Sequence, residues 1–326
     1  MVITKTPFRI SFFGGGTDYP EWVKNNVGSV LSTTIDKYCY INCRRLPPFF
    51  DTKHRIVYSK IENVNNLDDI RHPVVREALK LLGNYDSGYE IHHNGDLPAR
   101  SGLGSSSAFA VGIINAISEH NNNIIGKKEL SDLAIYIEQV LLKESVGLQD
   151  QVSTAYGGFN RIDFIGEDNF KVSPIRISKS RKIDFSNHLL LFFTGIQRFS
   201  SNIAKSQIDN IKVNNNELFL MRDMVDEAIN ILENEETSIM EIGRLLNESW
   251  KIKRTLSKDI TTTEIDKMYN KALDSGASGG KLLGAGGGGF LLFLAPIDRH
   301  EDIKKSLSDL VHVPFNFENK GSVRIY

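Results

Sequence analysis

Cysteine is scarce in this sequence: two residues, Cys39 and Cys43, occur in a chain of 326. Two cysteines supply neither a disulfide framework nor the four ligands of a structural zinc site, which excludes both classes of protein. Long apolar runs are missing too, since no segment approaches the roughly 20 residues of a membrane-spanning helix. The N-terminal residues carry no signal-peptide pattern, because Lys5 and Arg9 leave few apolar residues between them. We therefore expect a cytoplasmic protein with no membrane partner.

An excess of charge of either sign is also absent. The chain has 39 Lys and Arg residues against 40 Asp and Glu residues, which gives a formal net charge of -1. A positive field over the whole surface is excluded, and we expect no nucleic-acid partner. Hydrophobic residues make up 40% and charged residues 24%, the composition of an ordinary globular protein with one large domain or two.

Glycine, in contrast, is concentrated at three places in the chain. Among the 26 glycines, clusters lie at residues 14–16, at residues 102–104 and at residues 284–289. Each cluster adjoins an apolar segment, which is typical of loops joined to regular elements and not of a flexible linker.

Hydrophobic periodicity predicts strands and helices in both halves of the chain. The predicted strands lie at residues 35–41, 89–93, 159–164, 189–193 and 290–294. The predicted helices lie at residues 73–82, 106–117, 129–143, 217–232, 238–256, 265–275 and 300–310. This mixture indicates an α+β fold and not a strict βαβ array. Because residues 179–182 are polar and basic, we predict two domains, residues 1–180 and 181–326.

The most informative segment is residues 97–108, which join a predicted strand to a predicted helix. Gly102 and Gly104 permit unusual backbone angles and let a ligand approach the backbone closely. The serines at residues 105–107 offer hydroxyls and free amides at the helix start, where the helix dipole favours an anion. A phosphate chain is the expected ligand. No Walker or dinucleotide-binding pattern is present, and a serine-capped helix after a turn is the alternative interpretation.

Three motifs in this sequence resemble those of the GHMP kinase superfamily, which includes galactokinase, homoserine kinase and mevalonate kinase. Residues 98–108 resemble its second motif, with one extra serine that leaves open which serine fills each role. Residues 7–19 resemble the first motif of its sugar kinases, and residues 281–290 resemble its C-terminal glycine loop. The resemblance implies an N-terminal domain like domain 2 of ribosomal protein S5, followed by a ferredoxin-like C-terminal domain.

Four segments resemble the heptose 7-phosphate kinases of that superfamily most: residues 9–18, 147–151, 157–160 and 276–290. The resemblance implies that ATP phosphorylates the anomeric hydroxyl of D-glycero-D-manno-heptose 7-phosphate, giving the 1,7-bisphosphate for nucleotide-activated heptose and surface polysaccharide. Galactokinases carry Glu-His where this chain has Gly15-Gly16, so galactose is less expected and a bulkier sugar has room. The alternatives are another sugar 1-kinase, fucokinase-like or galactokinase-like, and a catalytically silent sugar- or nucleotide-binding regulator.

The resemblance also implies roles for individual residues. Phosphoryl transfer needs neutralised phosphate oxygens, an activated hydroxyl and alignment of the two. Asp150 is predicted to take or orient the proton of the acceptor hydroxyl, with Arg9 keeping it ionised and stabilising the transferred group. Glu138 and Ser106 are predicted to bind Mg²⁺. The alternatives are a solvated helix face for Glu138 and a turn cap for Asp150.

Two further sets complete the predicted site. ATP is predicted to contact Pro98, Arg100, Gly102, Leu103, Gly104, Ser105, Ser106 and Ser107. The sugar is predicted to contact Gly15, Gly16, Thr17, Asp18, Asp150, Lys253, Gly286 and Gly287. The alternative for Asp18 is the N-cap of a helix that begins near Pro20.

A substrate that already carries a phosphate needs a second anion site. The candidate cations are Arg100, Arg161, Arg198, Lys251, Lys253, Arg254 and Lys281. Lys253 is preferred because residues 250–258 resemble the heptose kinases. We expect the adenine to pack between residues 58 and 86, and the protein to be a monomer or a homodimer.

Overall fold

A computed structural model describes residues 1–99, 101–166, 169–197 and 200–326. The strands are β1 (Val2–Phe13), β2 (Val27–Leu46), β3 (His54–Val57), β4 (Ile61–Val64), β5 (Gly88–Gly95), β6 (Phe159–Ile165), β7 (Phe170–Pro174), β8 (Leu189–Phe193), β9 (Gly279–Leu282), β10 (Phe290–Leu294), β11 (Val311–His312), β12 (Phe317–Glu318) and β13 (Val323–Arg324). The helices are α1 (Pro20–Val23), α2 (Pro73–Leu82), α3 (Ser105–His120), α4 (Lys127–Ile135), α5 (Gln149–Tyr156), α6 (Lys179–Asn187), α7 (Ser200–Asp209), α8 (Asn215–Glu233), α9 (Met240–Thr255), α10 (Thr263–Asp274) and α11 (His300–Ser306). Within these ranges, no helix has both the length and the apolar character needed to cross a membrane.

The first sheet is organised around β2, which is 20 residues long. Its C-terminal half pairs with β5 and its N-terminal half with β6, while β1 runs antiparallel along most of its length. The strand order is β13-β1-β2-β5-β3-β4, with β12 and β6 on β2 and β7 beyond β6. Strand β3 is parallel to β5, whereas the other pairs among the described strands are antiparallel.

The second sheet has the order β11-β8-β10-β9, and its described pairs are antiparallel. Counted from β8, this order is 4-1-3-2, with helices between β8 and β9 and α11 between β10 and β11. The arrangement is that of a βαββαβ, ferredoxin-like domain. The α+β fold with a ferredoxin-like C-terminal part, predicted from the sequence, is therefore confirmed.

Helix α3 packs across the first sheet, and its residues from Ser107 to Ser118 are buried. Gly112 allows this close packing, because a Cβ there would lie 3.0 Å from Thr6 Oγ1 and 3.2 Å from Ile41 Cγ1. The hydroxyl of Thr4 donates to the Gly112 carbonyl at 3.0 Å. The N-terminus of α3 is thereby fixed relative to β1, which carries Arg9.

An aromatic cluster of Phe12, Phe159, Phe185 and Phe317 connects distant parts of the chain. Its ring centroids lie 5.2 to 6.3 Å apart, distances at which aromatic pairs stabilise a core beyond the area that they bury. Phe185 belongs to α6, which spans the boundary predicted between residues 180 and 181, and β12 and β13 return to the first sheet. The division into two domains stays a prediction.

The structure differs from the sequence-based expectation near the site. The helix predicted at residues 129–143 is divided, because α4 ends at Ile135 and a π-helix covers Tyr136–Leu141. π-Helical turns are rare and often occur at functional sites, and this one carries Glu138. Asp150, for which a turn cap was the alternative interpretation, lies at the second position of α5.

Candidate active site

Arg9 and Asp150 form a bidentate ion pair at the centre of the candidate site. Arg9 of β1 donates from Nε to Asp150 Oδ1 and from Nη2 to Oδ2, each at 2.7 Å. Its Nη1 donates to the carbonyl of Gly102 at 2.7 Å. The side chain of Arg9 is 4% exposed and that of Asp150 is 26% exposed. A buried guanidinium thus orients a carboxylate that stays accessible to a ligand.

Asp18 lies near this pair and is held by backbone amides. Its Oδ1 accepts from the Gly16 N–H at 3.0 Å and its Oδ2 from the Gln149 N–H at 3.1 Å. Burial raises the pKa of Asp18; the amides of Gly16 and Gln149 oppose this effect, and the charge of Asp150 adds to it. Helix α1 has Tyr19 as its N-cap, without a side-chain hydrogen bond. Asp18 is therefore not the cap of that helix.

Gly147 leaves the space that the Asp18 carboxylate occupies. A Cβ at Gly147 would lie 2.0 Å from Asp18 Oδ2, although the backbone at Gly147 is outside the left-handed region. We expect Gly147→Ala to displace Asp18 and lower kcat/KM for the acceptor by about 10²-fold, because small misplacements of positioning groups have effects of that size. Steady-state kinetics with varied acceptor measures this loss.

The matched control for that variant is Gly126→Ala. A Cβ at Gly126 meets no atom within 4 Å, so this variant should keep the kinetics of the parent protein. Equal kinetics for both variants would show that the position of Asp18 does not limit the reaction.

The second and third glycine motifs are in direct contact. Gly102 and Gly104 have φ angles of 82° and 70°, a left-handed conformation that favours glycine. A Cβ on Gly102 would lie 2.4 Å from the Leu283 carbonyl oxygen, and one on Gly284 would lie 2.5 Å from Gly102 Cα. The two loops touch through their backbones, so side chains are excluded from this contact.

Glu138 faces the start of α3 from the π-helix. Its Oε1 accepts from the Ser106 hydroxyl at 3.1 Å, and its Oε2 accepts from the Ser107 hydroxyl at 2.9 Å. Gln151 Nε2 donates to the same Oε2 at 2.5 Å, and Gln151 Oε1 is buried with no hydrogen-bond partner among the residues that the structure describes. Two side chains of α3 and one of α5 therefore donate hydrogen bonds to the Glu138 carboxylate, which the π-helix carries.

The Glu138 carboxylate is fully buried, so its interpretation as part of a solvated helix face is wrong. Burial raises the pKa of Glu138 to about 7; the charge of Glu144 also raises it, and the hydrogen bonds from Ser107, Gln151 and Ser106 oppose the rise. In the described part of the chain, no cationic side chain pairs with it. A buried carboxylate without a cation is costly, which makes this a place where a positive ion would be stabilised.

Two lysines lie deep in the site. Lys253 of α9 is 5% exposed and donates from Nζ to the carbonyl of Gly284. Lys281 of β9 is 2% exposed and donates to the Phe12 carbonyl at 2.7 Å. Burial lowers the pKa of Lys253 to about 8 and holds that of Lys281 well below its usual value. The positive charge of Arg9 contributes to both shifts.

The other residues of the first motif shape the loop at the end of β1. Thr17 is fully buried, and its hydroxyl donates to the carbonyls of Gly14 at 2.9 Å and Ser29 at 3.0 Å. These hydrogen bonds hold the loop together, and the predicted contact of Thr17 with the sugar stays a prediction. Gly15 is half-buried, and a Cβ there would lie 3.6 Å from Gln149 Nε2.

The residues predicted to contact ATP lie around the start of α3. Leu103 is buried, and its carbonyl accepts from the Arg9 N–H at 3.0 Å. Pro98 is half-buried ahead of the loop, and Ser105 is the first residue of α3. Arg100, also predicted here, lies outside the described residues.

Gly286 and Gly287 pack inside the C-terminal glycine loop. A Cβ on Gly286 would lie 2.7 Å from the Ile260 backbone, and the Gly287 N–H donates to the Ile260 carbonyl at 2.9 Å. The Gly287 N–H is thus bonded within the fold, and the contact of these two glycines with the sugar stays a prediction.

Two of the other candidate cations for a second anion site are engaged in ion pairs. Arg161 pairs with Asp163 and Asp226, and Arg254 pairs with Asp266. Lys251 is exposed on α9, and Arg198 lies outside the described residues. Lys253 and Lys281 are the candidates that the described structure brings close to Arg9.

Three residues of the site were not predicted from the sequence. Ser11 donates to Gln149 Oε1 at 2.8 Å, and Gln149 Nε2 lies 3.4 Å from Asp18 Oδ1. Gln151 holds Glu138 as described above. Both glutamines flank Asp150 in a segment that resembles the heptose kinases, and this proximity was the available signal. Nothing in the spacing indicates which carboxylate each would contact.

A glycine-serine loop at a helix start, next to an arginine–aspartate pair and a buried glutamate, is the arrangement expected of a small-molecule phosphotransferase. Comparison with protein families agrees: residues 73–158 match the GHMP kinase N-terminal domain, and residues 224–311 match the GHMP kinase C-terminal domain. The chain belongs to the GHMP kinase family and is an ATP-dependent sugar kinase.

Individual relatives span the whole chain. A D-glycero-alpha-D-manno-heptose 7-phosphate kinase of Campylobacter jejuni is 30% identical, over 98% of this chain and 97% of the relative. A bifunctional fucokinase/GDP-fucose pyrophosphorylase of Arabidopsis thaliana is 25% identical, over 95% of this chain and 31% of the relative. The crystal structure of a D-glycero-D-manno-heptose 1-phosphate kinase from Bacteroides thetaiotaomicron has a TM-score of 0.80 at 23% identity, covering 100% and 99% of the two chains. This likeness confirms the GHMP kinase fold.

Proposed function

We propose that this kinase phosphorylates the anomeric hydroxyl of D-glycero-D-manno-heptose 7-phosphate, giving the 1,7-bisphosphate. The observation that carries the catalytic part is the Arg9–Asp150 pair beside Asp18, at the point where the glycine loops meet. The choice of sugar is supported by the 30% identity to the Campylobacter jejuni enzyme over nearly both whole chains. The product would feed the synthesis of nucleotide-activated heptose and surface polysaccharide.

Asp150 is suited to accept the proton of the acceptor hydroxyl. Its carboxylate is accessible, and both oxygens are oriented by the two nitrogens of Arg9. A carboxylate in hydrogen-bond reach of the hydroxyl orients it for attack and takes its proton. Because phosphoryl transfer passes through a loose transition state, orientation contributes more than basicity.

Asp18 and the loop around Gly15 and Gly16 are suited to hold the sugar. A carboxylate can accept hydrogen bonds from two neighbouring hydroxyls of a diol. The paired glycines offer backbone surface without side chains, which supports the proposal of a sugar bulkier than galactose.

The phosphates of ATP would lie at the glycine-serine loop, residues 101–107, because the dipole of α3, which begins at Ser105, favours an anion at its N-terminus. Glu138 and Ser106 fit a magnesium ion: the buried carboxylate pairs with no cationic side chain in the described part of the chain, and the Ser106 hydroxyl donates to it at 3.1 Å. Gln151 Oε1, which has no partner within the described ranges, could accept a hydrogen bond from a water bound to the ion. Bound there, Mg²⁺ would neutralise phosphate oxygens.

ADP release with Mg-ATP across a panel of sugars tests this proposal. The panel contains heptose 7-phosphate, unphosphorylated heptose, mannose, galactose and fucose. Turnover that strongly favours heptose 7-phosphate is expected. Preference for fucose or another unphosphorylated sugar would keep the kinase and reject the proposed substrate.

A further inference from the structure

Two buried cations, Arg9 and Lys253, each bind a carbonyl at the contact between the glycine loops. Arg9 Nη1 donates to the Gly102 carbonyl at 2.7 Å, and Lys253 Nζ donates to the Gly284 carbonyl. A Cβ on Gly284 would lie 2.5 Å from Gly102 Cα and 3.1 Å from the Gly102 carbonyl oxygen. The carbonyls that hold the two cations therefore belong to backbones in contact, although the cations come from β1 and α9.

The carboxylates near these cations, Asp150 and Asp18, already have hydrogen-bond partners. Both oxygens of Asp150 are bonded to Arg9, and Asp18 is satisfied by backbone amides. Among the described residues, neither Lys253 nor Lys281 forms an ion pair with a carboxylate. A buried cation without a paired anion is costly unless a ligand supplies the missing charge. An anionic ligand would therefore be stabilised beside Lys253 and Lys281.

We propose that Lys253 is a catalytic residue that binds the phosphoryl group during its transfer, together with Arg9. The inference deepens the proposed function and rests on it. It differs from the expectation that Lys253 holds a phosphate already present on the sugar. The Lys253 ammonium binds the Gly284 carbonyl, and Gly284 contacts Gly102 of the glycine-serine loop, where the ATP phosphates are proposed to lie. The charges of Arg9, Asp18 and Asp150 act on this ammonium. A phosphate on C7 is several bonds from the reacting hydroxyl on C1.

In the transfer step, the bond from the γ-phosphorus to the bridging oxygen of ATP breaks, and its electron pair leaves with ADP. A new bond forms between that phosphorus and the acceptor oxygen, whose proton passes to Asp150. Lys253 keeps its protons and its charge throughout. It stabilises the equatorial oxygens of the phosphoryl group, the role in which fixed cations contribute most.

The test compares Lys253→Met with Lys267→Met, which removes an exposed lysine from the neighbouring helix α10. We expect Lys253→Met to lower kcat by about 10²- to 10³-fold by the same factor for phosphorylated and unphosphorylated acceptors. ADP binding should persist, whereas binding of ADP with aluminium fluoride, a mimic of the transferring phosphoryl group, should weaken. Lys267→Met should match the parent protein.

A second variant, Lys253→Gln, guards against misfolding because its amide can still donate to the Gly284 carbonyl. Circular dichroism and thermal unfolding check the fold of each variant. A loss confined to phosphorylated acceptors and expressed mainly in KM would overturn the proposal, since Lys253 would then hold the acceptor phosphate. Unchanged kcat and unchanged fluoroaluminate binding in a folded variant would also overturn it. If the parent protein phosphorylates no sugar, the proposed function fails, and the fluoroaluminate titration still decides the role of Lys253.

Discussion

Asp150→Asn should lower kcat by about 10²- to 10⁴-fold, the range that a positioned acid–base group supplies. The asparagine amide cannot take a proton, and its NH₂ group would face one of the two Arg9 nitrogens that now donate at 2.7 Å. ATP binding should change little, because Asp150 contacts none of the glycine-serine loop hydroxyls among the described hydrogen bonds. Steady-state ADP release and calorimetric titration of the nucleotide measure the two effects separately.

The control for that variant is Asp132→Asn on α4. Asp132 is 45% exposed and pairs with Lys128 on the same helix, so its replacement should leave turnover unchanged. Unchanged turnover in Asp150→Asn itself would remove the proposed role of Asp150. A loss near the low end of the range would indicate that Asp150 mainly orients the hydroxyl.

Glu138→Gln should weaken divalent-metal binding in the nucleotide complex at least about tenfold, the lower end of the range for loss of metal-site contacts. The carboxylate is fully buried, and a neutral amide in its place removes its negative charge. The buried Gln151 Oε1 would remain, but it carries no net charge. Titration of Mn²⁺ against protein and ADP, followed by the electron paramagnetic resonance of free Mn²⁺, measures the affinity without turnover.

The same titration has a defined pH dependence. Burial raises the pKa of Glu138 to about 7, and the ionised form is the metal ligand. Affinity for Mn²⁺ should therefore rise between about pH 6 and about pH 8 in the parent protein, as the carboxyl loses its proton. Glu138→Gln should lose this rise, and Glu129→Gln, at an exposed position on α4, should keep it. Equal affinities at both pH values in the parent protein would argue against Glu138 as a ligand.

Elements with strong periodicity were predictable from the sequence. Helix α2 has the predicted bounds, Pro73 to Leu82, and strand β8 is the predicted run from Leu189 to Phe193. Four apolar residues of α2 are buried at the spacing of a helix. These segments fold as their local pattern indicates.

Elements defined by distant partners were not predictable. Strands β11, β12 and β13 have two residues each, too few for any period, and they form because β8, β2 and β1 offer open edges. The π-helix that carries Glu138 also has no local sequence signature.

In the site, too, local sequence features were predictable, whereas contacts between distant segments were not. The glycine-serine loop was predicted from its own residues, because glycines and serines at a helix start are typical of phosphate sites. Arg9, Asp150 and Asp18 were predicted from the resemblance of their segments to the sugar kinases of the family. Which partners these residues contact depends on the fold. The contact between Gly102 and Gly284 joins segments 182 positions apart (284 − 102), and no local pattern encodes it.

The position of the transferred phosphate tests the central proposal most directly. The protein would be incubated with Mg-ATP and D-glycero-D-manno-heptose 7-phosphate, and the products would be followed by ³¹P nuclear magnetic resonance. We expect ADP to appear with a second sugar-phosphate signal coupled to the anomeric proton, while the signal of the original C7 phosphate persists. A new phosphate coupled to any other sugar proton, or no new sugar phosphate at all, would contradict the assignment.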